Sequence, residues 1–370
     1  MKKISVAMSS YNHAPYVSYA IESVLSQDVD LEFTIVDDGS KDETAAIISK
    51  YKDPRISFQP LPKNEGACVA LRKAIEMGSG EYVAIINSDD AFLPGKLKEQ
   101  QDFLDQNPNI AAVFGFAEFI DEKGNIIQND KLSFGSIFEK NNRSRFEWLN
   151  FFFFNGNALC HPSVMIRRSC YKELGYYDPR LMQLPDYDFW IKLLLKHEIH
   201  VMQKKIIQFR MLPHERNTSA PSFAVIQRQQ WETLQILNNY LTISTLDEYF
   251  SIFPEDRKIY STVTEKEMPY IIPFALANKA LNNSFHSSIQ PSYKLFALQK
   301  LYDLMQIKEV YSNLAPKFGI TLANFCKLPS QHRIFKYPWH FAITQYLKKY
   351  AVMRAANHAI KKTIHLIKRK

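Results

Sequence analysis

Cysteine and glycine are scarce in this sequence, and neither residue type forms a recognisable motif. The four cysteines are scattered along 370 residues without a C-x-x-C pair, which argues against a zinc site or a disulfide framework and fits a reducing compartment. The loop at residues 9–15, after the first apolar run, contains no glycine. A fold that binds NAD or FAD carries the pattern G-x-G-x-x-G at this place, so the sequence argues against both cofactors.

Long apolar runs are also missing. A membrane-spanning helix needs about 18 consecutive apolar residues, and the most apolar stretch here, four phenylalanines at 151–154, ends at Asn155 and Gly156. The first residues, MKKISVAMSSYN, are too short and too polar a run for a signal peptide. The 46% of hydrophobic residues suffice for a packed core. We therefore expect a globular, cytoplasmic protein.

Acidic residues are absent from the last forty residues, which contain ten lysines and arginines, whereas the remainder of the chain is nearly neutral. Apolar residues recur in this tail at helical spacing: Ile343, Leu347, Tyr350, Met353, Ile360, Ile364 and Ile367. A basic amphipathic helix either lies on an anionic membrane surface or packs onto the body of the protein, and the sequence leaves both open. The first alternative predicts peripheral attachment to the inner face of the plasma membrane. Nucleic acid is not expected as a partner, because no aromatic platform accompanies the charge.

Strand-like and helix-like patterns alternate in the first 220 residues. Predicted strands cover 4–8, 31–36, 55–58 and 82–86, and predicted helices cover 16–25 and 65–77. Such alternation predicts an α/β fold with a largely parallel, doubly wound sheet. After about Pro221 only helical patterns remain, with breaks expected at prolines such as Pro273. The sequence therefore predicts two domains, an α/β domain at 1–220 and a helical domain at 221–370.

Two pairs of aspartates follow predicted strands directly. Asp37 and Asp38 come after the apolar run 33–36, and Asp89 and Asp90 follow the run 83–86 with two polar residues between. Ligands of open α/β sheets bind outside the carboxyl ends of the strands. Carboxylates that meet an anionic nucleotide diphosphate need a divalent cation between them, and Mg²⁺ binds one or two carboxylates together with phosphates. The pattern therefore predicts a nucleotide site with Mn²⁺ or Mg²⁺.

Several blocks, in this order, resemble the family 2 glycosyltransferases. They are ISVAMSSYNHAPYVSYAIESVLSQ, FTIVDDGSKDET, GEYVAIINSDD, NALCHPSVMIRRSCYKELGYYD and LPDYDFWIKLL, which together cover roughly residues 1–220. The resemblance implies the GT-A fold, a Rossmann-like doubly wound mixed sheet, and here an α-helical C-terminal domain would follow it. It also implies an inverting transferase of the bacterial surface-glycan type. The donor would be a nucleoside-diphosphate sugar, with a UDP-sugar favoured, and the acceptor a glycan or a lipid-linked glycan.

The resemblance assigns roles at the nucleotide site. Candidate nucleotide contacts are Ser9, Tyr11, Asp38, Arg72, Asn87 and Asp89, and candidate metal ligands are Asp89, Asp90 and His214. Many members have an aspartate where this chain has Asn87, which leaves Asp89 and Asp90 to divide the ribose and the metal. Arg72 lies where the family's local pattern is not kept, and its charge makes it a candidate for a phosphate contact.

The block LPDYDFW carries the candidate catalytic residue. By resemblance, Asp186 is the general base that accepts the proton of the acceptor hydroxyl, and Pro185 replaces a glutamate that is usual in the family. The alternative for Asp186 is a helix cap. His161 and Asp188 are weaker candidates for acceptor contacts, and packing or a structural role is the alternative for both.

The sequence is also compatible with two other functions. A sugar-1-phosphate nucleotidyltransferase has a similar fold, but it needs a glycine-rich loop after the first strand, which this chain lacks. A catalytically inactive GT-A domain that binds a glycan or a partner is the other alternative, because Asn87 and Pro185 depart from the family pattern. The segment 227–231, QRQQW, resembles the Q-x-x-R-W of processive synthases with Gln230 in place of arginine, and we predict a helix surface with a buried Trp231.

Overall fold

The computed structural model describes residues 3–132, 135–212, 222–264, 267–310, 312 and 318–332. The chain divides into one compact unit at Met1–Lys300 and a second at Leu301–Lys370. This division does not coincide with the boundary predicted near residue 221, because the helices up to residue 300 belong to the same unit as the sheet. The assignment of the catalytic role to residues 1–220 stays a prediction.

A mixed sheet of eight strands forms the centre of the first unit. The strands are β1 (Ile4–Ser10), β2 (Leu31–Asp37), β3 (Ile56–Pro60), β4 (Tyr82–Asn87), β5 (Ala91–Phe92), β6 (Ile110–Ile120), β7 (Met165–Arg167) and β8 (Glu198–Arg210). Their order in the sheet is β3-β2-β1-β4-β7-β6-β8-β5. The first four pair in parallel, β7 runs antiparallel to both of its neighbours, and β5 runs antiparallel to β8.

Helices cover the sheet within this unit. They are α1 (Val17–Leu25), α2 (Thr44–Ser49), α3 (Ala67–Met77), α4 (Lys96–Gln106), α5 (Arg145–Asn155), α6 (Arg168–Leu174) and α7 (Pro185–Leu194). Side chains alternate between the two faces of a strand, and Ile4, Val6 and Met8 of β1 pack with α1 in one buried cluster. Helix α3 packs against β1 and β2. The predicted α/β fold with a doubly wound mixed sheet is confirmed.

Helices alone follow residue 221 in the described part of the chain. They are α8 (Phe223–Ile236), α9 (Leu246–Ile252), α10 (Met268–Asn282), α11 (Gln290–Met305) and α12 (Leu322–Gln331). The predicted helical C-terminal region is therefore confirmed. Pro273 lies inside α10, so the break predicted there is wrong. Trp231 is 62% exposed, so its predicted burial is also wrong.

An aromatic core joins α5 to the helices that follow residue 221. Phe153 of α5 is fully buried. Its ring centroid lies 5.3 Å from those of Tyr240 and Phe253 and 5.5 Å from that of Tyr293. The run of phenylalanines at 151–154 therefore belongs to the core of the first unit, and this shared core explains why the unit continues to residue 300.

None of the helices within the described ranges combines the length and the apolar character that a membrane crossing needs. The basic tail predicted to form an amphipathic helix lies outside the described residues, so its attachment to a membrane stays a prediction.

Candidate active site

The carboxyl ends of three neighbouring parallel strands meet at one edge of the sheet. Ser9 of β1 pairs with Val36 of β2 on one side and with Asn87 of β4 on the other, and Ser10 pairs with Asp37. The strand interiors are largely buried, and each of the three strands ends in a polar residue, Ser10, Asp37 or Asn87. Open α/β sheets bind ligands at this edge. The structure thus brings together the segments for which the sequence predicts nucleotide binding.

Asp37 and Asp38 are adjacent in sequence, but their carboxylates accept hydrogen bonds from different segments at this edge. The Asp37 carboxylate accepts a hydrogen bond from the Ser10 hydroxyl at 2.9 Å. The Asp38 carboxylate accepts hydrogen bonds from the backbone N–H groups of Glu65 at 2.7 Å and Gly66 at 2.9 Å. Burial raises the pKa of Asp38, while these two hydrogen bonds act in the opposite direction. Asp38 therefore fixes the entry to α3, and its contact with a nucleobase stays a prediction.

The two predicted nucleobase contacts Ser9 and Tyr11 lie at the end of β1 and in the loop between β1 and α1, respectively. Tyr11 is 38% exposed, so part of its ring is accessible for stacking. The same loop contains His13, whose Nδ1 lies 2.8 Å from the hydroxyl oxygen of Ser88 and 3.9 Å from Oδ1 of Asp89. The loop is thereby connected to the segment that follows β4.

Arg210, the last residue of β8, holds the segment at 87–90. The buried Asp90 carboxylate accepts hydrogen bonds from the Arg210 backbone N–H and from Asn87 Nδ2, both at 2.8 Å. The Arg210 guanidinium donates to the backbone carbonyl oxygens of Asp89 at 2.8 Å and Asp121 at 2.9 Å. Burial, and then the charge of Asp89, raises the pKa of Asp90 well above its ordinary value. These contacts give Asp90 a structural role.

Asp89 is the better placed of the two aspartates to bind a metal. Its Oδ1 lies 3.9 Å from Nδ1 of His13, whereas both oxygens of Asp90 already accept hydrogen bonds. Burial raises the pKa of Asp89, and the charge of His13 opposes this. The described residues contain no group of three or more His, Cys, Asp or Glu side chains that could hold a metal ion, and His214 lies outside them. A single carboxylate still fits Mg²⁺ or Mn²⁺, because nucleotide phosphates and water complete such sites.

Asp186 lies in the first turn of α7, directly after Pro185. Its Oδ2 accepts a hydrogen bond from Nδ2 of Asn157 at 2.8 Å. Burial raises the pKa of Asp186 to about 6, while hydrogen bonds from the Tyr187 backbone and from Asn157 act in the opposite direction. A carboxylate with this pKa is ionised at neutral pH and more basic than an exposed aspartate, as general-base catalysis requires.

The buried thiol of Cys160 connects the two parts of the predicted site. Burial raises the pKa of Cys160 well above its ordinary value, and the charges of Asp90 and Asp186 contribute in the same direction. Asp90 and the predicted base Asp186 therefore both act on this buried thiol. A single active site that contains both carboxylates stays a prediction.

The two weaker acceptor candidates take part in internal contacts. The Asp188 carboxylate is 6% exposed and accepts hydrogen bonds from Lys192 Nζ at 2.5 Å and Asn239 Nδ2 at 2.7 Å. Nε2 of His161 lies 3.1 Å from the Tyr177 hydroxyl oxygen. Burial lowers the pKa of His161 to about 4, so its ring is neutral at neutral pH. These contacts account for both side chains without an acceptor, and acceptor binding by either stays a prediction.

Arg72 lies on α3 with its side chain 57% exposed. Its Nε donates a hydrogen bond to Oε1 of Glu76 at 2.9 Å, and its guanidinium lies 4.9 Å from the ring centroid of Tyr176. An exposed ion pair of this kind contributes little to stability and is readily exchanged for a phosphate. The predicted phosphate contact of Arg72 is compatible with this position and stays a prediction.

Three residues of the site had no assigned role from sequence. Arg210 contacts Asp89 across 121 residues of chain and Asn157 contacts Asp186 across 29, so no local pattern links either pair. Both amide atoms of Gln183, three residues before Asp186, are buried and have no hydrogen-bond partner among the described residues. The only available signal was the position of Asn157 and Gln183 in or beside the quoted sequence blocks, whereas Arg210 lies outside all of them.

Comparison with known proteins identifies the family. The model described as Glycosyl transferase family 2 matches residues 5–175. An uncharacterized glycosyltransferase of Methanocaldococcus jannaschii is 32% identical over 220 residues, which cover 58% of this chain and 72% of that protein. The Bacillus subtilis protein TuaG, named for teichuronic acid biosynthesis, is 41% identical over 104 residues, which cover 27% of this chain and 41% of TuaG.

Solved structures share the fold over most of this chain. Residues 1–349 of TarS from S. aureus superpose with a TM-score of 0.54 at 18% identity, covering 90% of this chain and 92% of that structure. The mannosyltransferase PcManGT from Pyrobaculum calidifontis, in complex with GDP-Man and Mn²⁺, gives a TM-score of 0.50 at 15% identity, with 90% and 87% covered. These likenesses confirm the predicted GT-A fold. Together with the sequence matches, they show that the chain belongs to glycosyl transferase family 2.

Proposed function

We propose that this protein transfers a sugar, with inversion of the anomeric centre, from a nucleoside-diphosphate sugar to a hydroxyl of a glycan or lipid-linked glycan. The observation that carries the proposal is the carboxylate of Asp186, which is held by Asn157 with a pKa of about 6 near the strand-end aspartates. Membership of a glycosyltransferase family supports the reaction class. The relatives named for this chain include no nucleotidyltransferase, and only the departures at Asn87 and Pro185 speak for an inactive domain.

The nucleotide of the donor would lie at the carboxyl ends of β1, β2 and β4. In this proposal Tyr11 stacks on the base, and Ser9, Asp38 and Asn87 provide polar contacts to the nucleoside. A UDP-sugar is the favoured donor, because a structural neighbour of this fold binds UDP-GlcNAc. Asp89 would hold Mn²⁺ or Mg²⁺, which neutralises the developing charge of a leaving diphosphate when bound.

Asp186 performs the proton transfer in the proposed reaction. The acceptor hydroxyl oxygen attacks the anomeric carbon from the face opposite the diphosphate, and a new carbon–oxygen bond forms as the bond to the diphosphate breaks. Asp186 accepts the hydroxyl proton, and the diphosphate leaves with the electron pair of the broken bond. Asn157 orients the carboxylate through its 2.8 Å hydrogen bond to Oδ2, so that the other oxygen, Oδ1, receives the proton.

The acceptor would lie beside Gln183. Both polar atoms of this amide are buried without a hydrogen-bond partner among the described residues, and an unsatisfied buried polar group costs about 1–3 kcal/mol. A sugar hydroxyl both donates and accepts hydrogen bonds and so matches an amide. TuaG is named for teichuronic acid biosynthesis, which supports an acceptor of the surface-glycan type. A cytoplasmic location with the basic tail on an anionic membrane would bring the enzyme to a lipid-linked acceptor.

Turnover of a nucleotide sugar tests this function. The full-length protein is incubated with a panel of UDP- and GDP-sugars, and release of the nucleoside diphosphate is followed by mass spectrometry. We expect one donor to be consumed in the presence of Mn²⁺ or Mg²⁺ and consumption to stop in EDTA. Consumption that continues unchanged in EDTA would contradict the metal role, and nucleoside-triphosphate synthesis from a sugar-1-phosphate would contradict the reaction class.

A further inference from the structure

A single buried carboxylate holds the segment that leads into α7. Glu232 of α8 is 2% exposed. Its Oε1 accepts a hydrogen bond from the backbone N–H of Met182, and its Oε2 accepts hydrogen bonds from the N–H groups of Gln183 and Leu184, all at 2.8 Å. Three consecutive backbone donors thus converge on one side chain that is about fifty residues further along the chain.

The segment held by Glu232 sets the position of the first turn of α7. Leu184 is the residue at which α7 is capped, and its carbonyl oxygen accepts the backbone N–H of Asp188. Pro185 follows and fixes its own backbone φ near −65°. Asp186 is the next residue. A shift of the Leu184 N–H away from Glu232 would therefore displace the Asp186 carboxylate with the helix start.

We propose that Glu232 is a positioning residue, which fixes the location of the Asp186 carboxylate and acts on its basicity by charge. The proposal rests on the proposed function, in which Asp186 is the general base. It assigns a task in catalysis to a helix that follows the family-matched segment, residues 5–175. A displacement of a reacting group by about 1 Å is enough to lower the reaction rate by about a hundredfold.

Four side chains that interact with Asp186 carry no charge at neutral pH, unlike Glu232. The side chains concerned are Asn157, Cys68, Cys160 and Tyr177. Asn157 does not titrate, and burial raises the pKa of Cys68 to about 12 and raises the pKa values of Cys160 and Tyr177 well above their ordinary values. All three are neutral at neutral pH. The charge of Glu232 contributes to the raised pKa of Asp186 after burial.

The substitution Glu232→Gln separates this role from simple support of the fold. Glutamine has the same shape and keeps one oxygen acceptor, but it removes the negative charge near Asp186. A carboxylate that loses a like-charged neighbour has a lower pKa. We expect the acid limb of the kcat–pH profile to move to lower pH, and the plateau value of kcat to fall about tenfold. The KM for the donor should stay within about twofold, because Glu232 contacts no predicted nucleotide residue.

A second buried acid in the helical region provides the matched control. Asp256 is 4% exposed and accepts hydrogen bonds from Lys279 and Tyr249, none of which belongs to the site. Asp256→Asn should lower the Tm and leave the acid limb of kcat in place. An Asp256→Asn profile that shifts as much as that of Glu232→Gln would overturn the specific role of Glu232.

Two outcomes show whether the role of Glu232 or the proposed function itself has failed. If Asp186→Asn keeps the wild-type kcat and its acid limb, the base assignment fails. If Asp186→Asn is inactive while Glu232→Gln has the wild-type acid limb and plateau, only the role of Glu232 fails. The conservative variant is measured first, with its Tm and donor affinity, because Glu232→Ala would leave three buried N–H groups unpaired and fold poorly.

Discussion

Two aspartates of one helix turn illustrate how the surroundings of a residue decide its role. Asp188 is neutralised by Lys192 and hydrogen-bonded to Asn239, so its carboxylate is fully engaged in the fold. Asp186 has one side-chain donor, Asn157, and a pKa raised to about 6 by burial. Folding therefore penalises the ionised form of Asp186. A penalised charge near a ligand-binding edge is typical of catalytic residues.

The substitution Asp186→Asn is expected to stabilise the protein at high pH. The pKa of Asp186 in the folded protein is about 6, above the ordinary value of 3.8. Below the pKa of the unfolded state the carboxyl group is neutral in both states, so its burial costs no unfolding free energy. Above the pKa of the folded state the group is ionised in both states, and the cost of burying its charge is fully present. Urea unfolding at pH 8 should show a gain of about 1–2 kcal/mol for the variant, and the gain should nearly vanish at pH 4. A variant that is less stable than wild type at pH 8 would contradict the assignment.

Asp89 and Asp90 should respond differently to replacement by alanine. Asp89→Ala should weaken activation by Mn²⁺, because it removes the carboxylate proposed to hold the ion, with little change in stability. Asp90→Ala leaves the Arg210 N–H and Asn87 Nδ2 without their acceptor, which costs about 1–3 kcal/mol of unfolding free energy. Mn²⁺ titrations and urea unfolding of both variants measure the two effects. Equal Mn²⁺ activation in wild type and Asp89→Ala would remove Asp89 from the metal site.

The residue-scale predictions from sequence succeeded where the signal is local. An apolar run followed by aspartates predicts a strand end, and β2 and β4 do end at or next to Asp37 and Asn87. The partners that set the chemistry could not be found in this way. Asp90 meets Arg210 after 120 residues, and Leu184 meets Glu232 after 48. Such contacts depend on how distant elements pack, which periodicity does not encode.

At the scale of elements, the run of phenylalanines in α5 is the part of the fold that the sequence described least well. In the sequence this run is an isolated apolar stretch, and the change to helical patterns near residue 221 predicts a domain boundary. The structure packs Phe153, which precedes that position, against the rings of Tyr240, Phe253 and Tyr293, which all follow it. A boundary predicted from secondary-structure patterns alone cannot detect a core that elements before and after it share.

Phe153→Ala tests whether this core joins the sheet to the later helices. Removal of a fully buried phenylalanine costs about 3–5 kcal/mol of unfolding free energy, and Phe151→Ala, at a half-buried position of the same helix, should cost less. Both variants should unfold in one transition when followed by circular dichroism and by tryptophan fluorescence. Separate transitions for strand and helix signals would indicate that residues 222–300 fold independently of the sheet.

At the scale of the whole molecule, a GT-A unit is extended by helices and ends in a basic tail. The fold and family are shown by the comparisons, and the sequence blocks predicted both. The partner of the tail is a separate question. Its charge and apolar spacing are properties of residues 331–370, most of which lie outside the described residues.

Vesicle sedimentation tests the proposed membrane attachment. Each basic residue near an anionic surface contributes about 1 kcal/mol, and ten are available in the last forty residues. The full-length chain should pellet with vesicles that contain anionic lipid, remain in solution with neutral ones, and be released as salt screens the charges. A chain that ends at residue 332 should not pellet. Full-length protein that ignores anionic vesicles at low salt would show that the tail has a structural role.

The most direct test of the account is the turnover number of Asp186→Asn compared with that of Asp188→Asn. Both variants replace one carboxylate of the same helix by its amide, and each is measured with the donor identified by the nucleotide-sugar panel. We predict that kcat falls at least about a hundredfold for Asp186→Asn, as expected when a general base is lost, with donor affinity unchanged. Asp188→Asn should lower the Tm and keep kcat within a few fold of wild type. A wild-type kcat for Asp186→Asn would contradict the central claim that this carboxylate accepts the proton during sugar transfer.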